Sequence, residues 1–170
     1  MRVRQIEGKL ALELEGPEKE ALWVSLLALR DHYRTELAEL PEPLQRYWVG
    51  SVSRESLQGA EGEEAGELLK ETRLSWRSER AELVEQWLQR LRPIPGTGRS
   101  GLLLEKEELD IFLSIINDRR LTLAVEHGIG EEEMNRNPLW VSSRALQRAL
   151  WEIHFLAYLQ ETLLSFLSGS

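Results

Sequence analysis

The chain has 170 residues, 42% hydrophobic and 29% charged, with a formal charge of −8 and no cysteine. That length suits one domain and allows roughly two-thirds of the unfolded surface to be buried. The acidic balance, with a pI near 5.1, argues against nucleic acid, which calls for a basic face, and the missing cysteines exclude disulfides, thiolate chemistry and cysteine-ligated zinc.

Val3–Ile6 and Leu10–Leu14 alternate polar and apolar residues around Glu7-Gly8, which predicts a β-hairpin with glycine supplying a positive φ. This opening has no continuous apolar run, so it does not read as a signal peptide. Gly16-Pro17 stops the strand and starts a helix, with Glu18 and Glu20 near its positive end. Leu22, Leu26, Leu29, Tyr33 and Leu37 recur at helical spacing, predicting a helix to about Leu37. Pro41 and Pro43 end it. Residues 41–62 read as a flexible connector, with a short helix near Leu44–Trp48 and a length that suggests a binding role.

From Glu63 to Leu91 the pattern is helical, with Leu69, Trp76, Leu83, Trp87 and Leu91 near one face and arginines spread around it. Residues 93–101 read as a second flexible connector, and Gly101–Glu105 as a third strand for the hairpin. The next helix opens at Glu107 or Glu108 and ends at Gly128, a favoured residue just past a helix. EEEMNRNP is a polar turn or short helix, and Ser142 or Ser143 caps a final helix from Arg144 to about Leu167. No run of about 18 apolar residues is present, so no membrane span is expected. The expected location is the cytoplasm.

The segment SIINDRRLTL, Ser114–Leu123, places four polar residues inside an amphipathic helix. With Leu109 at zero and 100° per residue, the residues Leu109, Phe112, Leu113, Ile116, Leu123 and Ala124 share one face. Arg120 falls near its centre at about 20° by the same rotation. Asn117 lies at its edge, Arg119 at the opposite edge, and Asp118 points away toward solvent or a neighbouring arginine. A buried guanidinium needs a partner, because an uncompensated buried charge costs roughly 3–5 kcal/mol. Gln160 and Glu161 interrupt the apolar face of the final helix, so Arg120 is expected to pair with Glu161, with Asn117 and Gln160 completing the hydrogen bonds. An internal ion pair is the leading reading. The alternative is an anionic-ligand site of Asn117, Arg120, Gln160 and Glu161, since structural ion pairs and ligand sites share these features.

INDRRLTLA followed by LWEIHFLAYLQETLL resembles the C-terminal half of an uncharacterised bacterial family, the domain-of-unknown-function family DUF2017. Asn117, Asp118, Arg120, Leu121, Gln160 and Glu161 stand at the family's matching positions. The resemblance covers residues 1–40 loosely and 101–167 more closely, while 41–100 depart from it. It implies no established activity. The family's genes are often found beside the adaptor of the Clp protease, which implies a link to proteolysis or its regulation.

His32, His127 and His154 form no HExxH motif and no i, i+4 pair, so no metal site is expected. His127 suits the negative end of its helix, and His154 reads as a boundary residue. GTGRSG lacks the strand–loop–helix setting of a phosphate loop, and no GxSxG elbow occurs. No cofactor is expected. In the final helix Trp151, Phe155, Leu159 and Phe166 form a second apolar stripe. A helix apolar nearly all round is either central in a bundle or covered by another chain, and a homodimer through this stripe is the preferred reading.

Together these features predict a mainly α single domain over residues 1–170. It would contain about four main helices and a two- or three-stranded antiparallel sheet near the N-terminus. The favoured function is a non-catalytic protein-interaction or regulatory protein, with a protein partner and no nucleic acid or membrane. The alternative is a small-anion-binding or hydrolytic protein centred on Arg120.

Overall fold

The computed structural model describes the backbone of residues 1–49 and 60–169, with side chains for 1–49 and 75–169. Strands β1 (Arg2–Ile6) and β2 (Lys9–Leu14) form the expected hairpin. Glu7 and Gly8 occupy its turn at φ of 50° and 84°, the two positive angles that a tight hairpin turn requires. Helix α1 (Gly16–Arg34) follows, then α2 (Glu42–Val49) and the long α3 (Ala60–Arg90). Helix α1 stops three residues short of Leu37, because Thr35 is already extended and Leu37–Glu39 make a separate 3-10 turn. In α2, Pro43 sits in the first turn, where its missing N–H costs nothing, so the proline-rich segment starts a helix after ending one. The rest of the expected 41–62 connector, from 50 to 59, lies outside the described residues.

The expected connector 93–101 is instead a second hairpin, of β3 (Arg92–Ile94) and β4 (Arg99–Leu104). Gly96 and Gly98 turn the chain at φ of 74° and 66°, and the Thr97 hydroxyl donates to the Ile94 carbonyl at 2.9 Å. Glycines in fixed left-handed positions make a defined turn here, not a loose linker. The sheet therefore has four strands in the order β1-β2-β4-β3, all antiparallel. Pro93 is tolerated because β3 is an edge strand.

Leu10 pairs with Leu104 and Leu12 with Leu102 across β2 and β4. All four are buried with Leu22, Leu26 and Leu29 of α1 and Trp87 and Leu88 of α3 in the main core. Helix α4 (Leu109–His127) packs against α6 (Arg144–Ser168) and α2, and α1 against α3. The short α5 (Glu131–Met134) and a 3-10 turn at Pro138–Trp140 connect α4 to α6, whose cap is Ser143. A smaller cluster of Leu123, Ala124, Ile129, Ala149, Leu150 and Ile153 closes that end. Among the described residues the fold is mainly α, and no helix is long and apolar enough to cross a membrane.

Candidate functional site

Asp118 is not at the surface. It is 7% exposed and accepts from the Tyr33 hydroxyl of α1 and from Arg80 Nη1 of α3 at 2.5 Å. Of the two readings, solvent or a neighbouring arginine, the arginine holds, and Asp118 is buried with it because α4 has two buried faces. Ile115, Asp118 and Thr122 line the second, within about 60° of one another and opposite the Leu109 face. Arg80 is 4% exposed; its Nη2 donates to Ser114 Oγ at 2.9 Å, and its guanidinium carbon lies 3.2 Å from the Trp76 ring centroid. Such stacking on an indole favours a desolvated cation.

Beside it, buried Arg77 donates from Nη2 to the His32 carbonyl at 2.7 Å and the Thr35 carbonyl at 3.3 Å. Those carbonyls end α1, so the negative end of the helix dipole stands in for a carboxylate. The Trp48 indole N–H donates to His32 Nε2 at 2.7 Å, which requires a neutral ring with its proton on Nδ1. Burial, reinforced by Arg77 and Arg119, lowers the His32 pKa to about 4. Burial pushes the Asp118 carboxyl up, against the pull of Tyr33 and Arg80. Burial and the Asp118 charge push the Tyr33 hydroxyl up, so it remains a donor.

The next two residues reach α6. Arg119 holds Glu152 in a fork, Nε to Oε1 at 2.6 Å and Nη2 to Oε2 at 3.1 Å. Arg120 Nη1 donates to Gln160 Oε1 at 2.7 Å, and Gln160 Nε2 donates to the Leu113 carbonyl at 3.1 Å. Glu161 is exposed, one residue and 100° further round α6, so the partner of Arg120 is Gln160 and not the expected carboxylate. Asn117 is half-buried. Three consecutive residues of α4 thus tie it to α1, α3 and α6. Arg120 Nε is buried without an acceptor, but so are Arg77, Arg80 and Arg90 Nε, so this does not single Arg120 out.

The second stripe of α6 is divided. Leu159 is fully buried in the chain's own core, and Phe155 and Phe166 are partly buried against it. Trp151 is 52% exposed. Phe155 and Trp151 face Pro17, Ala21 and Val24 of α1 across an open groove of about 490 Å³, rimmed by Glu18, Glu20, Arg148 and Glu152. Helix α6 is apolar nearly all round because one face enters the core and another lines this groove.

His127 is exposed at the end of α4, and His154 Nε2 donates to the Met134 carbonyl at 2.7 Å. Among the described residues no cluster of histidine and carboxylate side chains has the makings of a metal site. Sequence reading missed Tyr33, Arg77 and Arg80 as members of one polar node. A signal existed: with Trp76 at zero, Arg80 falls at about 40°, inside the arc of Trp87, Leu91 and Val84, and Arg77 at about 100°, between Val84 and the buried Leu88 and Ala81.

The model of a family described as a domain of unknown function (DUF2017) matches residues 12–167. No curated protein matches the chain. No solved structure does either.

Proposed function

The chain belongs to the DUF2017 family, and from that premise we propose a non-catalytic protein-interaction protein with a regulatory role, a single cytoplasmic domain acting as a homodimer. The observation that carries this reading is the contrast between its two polar and apolar features. Among the described residues the Asp118–Arg80–Tyr33 node is buried, and its hydrogen bonds run between its own members and Ser114. The α1–α6 groove is open, with Val24 and Trp151 each 52% exposed; exposed apolar patches mark interaction sites, and tryptophan is enriched among interface anchors. Trp151 and Phe155 carry the interface; buried Leu159 supports it from below.

Sedimentation equilibrium of the wild type and of Trp151→Glu tests this. The wild type is expected to dimerise and the variant to sediment as a monomer with an unchanged circular dichroism spectrum. An identical mass ratio for both would rule out this face.

A further inference from the structure

Resting on that homodimer reading, we infer that Trp140 of each copy seats in the α1–α6 groove of the other, in a two-fold exchange. Trp140 is 86% exposed and its neighbour Leu139 68%, yet the turn that carries them is held firmly. Asn137 Oδ1 accepts from the Leu139 amide at 3.0 Å, and the Trp140 amide donates to the Asn137 carbonyl at 3.0 Å. Gln147 Nε2 donates to the Pro138 carbonyl at 3.1 Å, pinning the turn to the start of α6. An indole presented on a fixed backbone loses little freedom on docking, as anchor residues require.

The groove matches that anchor in kind. Ala21, Val24, Trp151 and Phe155 make an apolar hollow large enough for an indole, and the chain's own Trp140 leaves it open. Gln147, against which the turn rests, precedes Trp151 by one helical turn, about 6 Å along α6. Knob and groove are therefore neighbours, and a single two-fold axis brings both contacts together, as an isologous interface requires.

Charge favours a second copy over a foreign chain of one sign. Glu20 and Arg148 stand on opposite rims of the groove, and among the described residues neither has an ion-pair partner. The other two rim carboxylates, Glu18 and Glu152, are already paired with the N-terminal amine and Arg119; the two charges left, one of each sign, complement themselves under two-fold rotation, Glu20 meeting Arg148 of the other copy.

The absence of cysteine makes a cross-linking test clean. The double variant Val24→Cys/Leu139→Cys, oxidised, is expected to yield a covalent dimer on a non-reducing gel, since a disulfide forms only between close Cα positions. In sedimentation equilibrium, Trp140→Ala is expected to weaken dimerisation by roughly a hundredfold or more, two anchor residues being lost per dimer. A wild-type dimer whose constant Trp140→Ala leaves unchanged, with no cross-linked species, overturns the seating and leaves the homodimer reading intact. A wild type that stays monomeric overturns both. A monomeric chain whose groove captures a different protein, blocked by Trp151→Glu and indifferent to Trp140→Ala, assigns the groove to a foreign partner and overturns the seating as well.

Discussion

Arg80 Nη1 lies 2.5 Å from Asp118 Oδ2, an ion pair that joins α3 to α4 with both side chains more than nine-tenths buried. Its geometry is completed by Tyr33 on the carboxylate and Ser114 on the guanidinium. Three helices are held in register at one carboxyl group.

Arg80→Met is expected to destabilise the protein by about 3–5 kcal/mol, because Asp118 would stay buried without its cation. The triple variant Arg80→Met/Asp118→Leu/Tyr33→Phe removes the buried ion pair and the hydroxyl that donates to it, leaving the Ser114 hydroxyl and the separate Arg77 contacts with the end of α1. It should recover most of that loss, as apolar replacements of buried ion pairs often do. Urea denaturation measures both. Equal losses in the single and triple variants would show that the node acts through packing and not through charge compensation.

Arg120 occupies a different position, half-buried and hydrogen-bonded to a neutral amide. Arg120→Met should cost only about 1.5–3 kcal/mol, the worth of a hydrogen bond to a charged group. A titration with inorganic phosphate, followed by calorimetry, separates the structural from the ligand-binding reading. Heat of binding in the wild type that vanishes in a fully stable Arg120→Met would establish Arg120 as an anion anchor.

The difference between these two arginines marks how far sequence alone reaches. The inward Arg120 and its Gln160 partner were legible because one rotation of 100° per residue places both on apolar faces. The burial of Asp118 was not, although an arginine partner was one of its two readings, since that projection assumes one buried face and α4 has two. Arg80 was concealed by the length of α3: its arginines look evenly spread until the buried arc of Val84, Trp87 and Leu91 is drawn. The β3–β4 hairpin was hidden for another reason. Glycines at 96, 98 and 101 read equally as slack or as turn positions, and only pairing with β2 decides. Glu161 was misassigned through charge, which made a carboxylate look a better partner than the adjacent amide.

Gly128 offers a backbone test. It follows α4 at φ of 60°, and the Ile129 amide beyond it donates to the Ala124 carbonyl at 2.8 Å, closing the helix end with Ile129 buried against Leu123 and Ala124. A Cβ added at Gly128 meets no atom within 4 Å, so Gly128→Ala should cost only the left-handed backbone penalty, about 1 kcal/mol. A thermal melt checks this. A loss several times larger would mean that the substitution unseats Ile129.

His32 sets the acid sensitivity of the node. Its pKa falls from 6.5 to about 4 in the folded chain, through burial first and then Arg77 and Arg119. The unfolded chain therefore binds this proton more readily, and stability must fall as the medium is acidified. The contribution is complete above about pH 6.5 and is lost progressively down to about pH 4. A shift of this size in a half-buried group is worth about 2 kcal/mol once solvent screening is allowed for. Protonation also removes the lone pair that accepts from the Trp48 indole, so the loss should appear as a change in tryptophan emission. Asp118 works in the opposite sense, since burial raises its folded pKa and acid relieves that penalty. Comparing the wild type with His32→Gln separates the two. The glutamine keeps an acceptor for Trp48 and does not titrate, so between pH 7.5 and 4.5 the urea midpoint of the wild type should fall further than that of the variant. Parallel curves across that range would show that His32 takes up its proton as readily in the folded chain as in the unfolded one, and that the acid response belongs to the carboxylates.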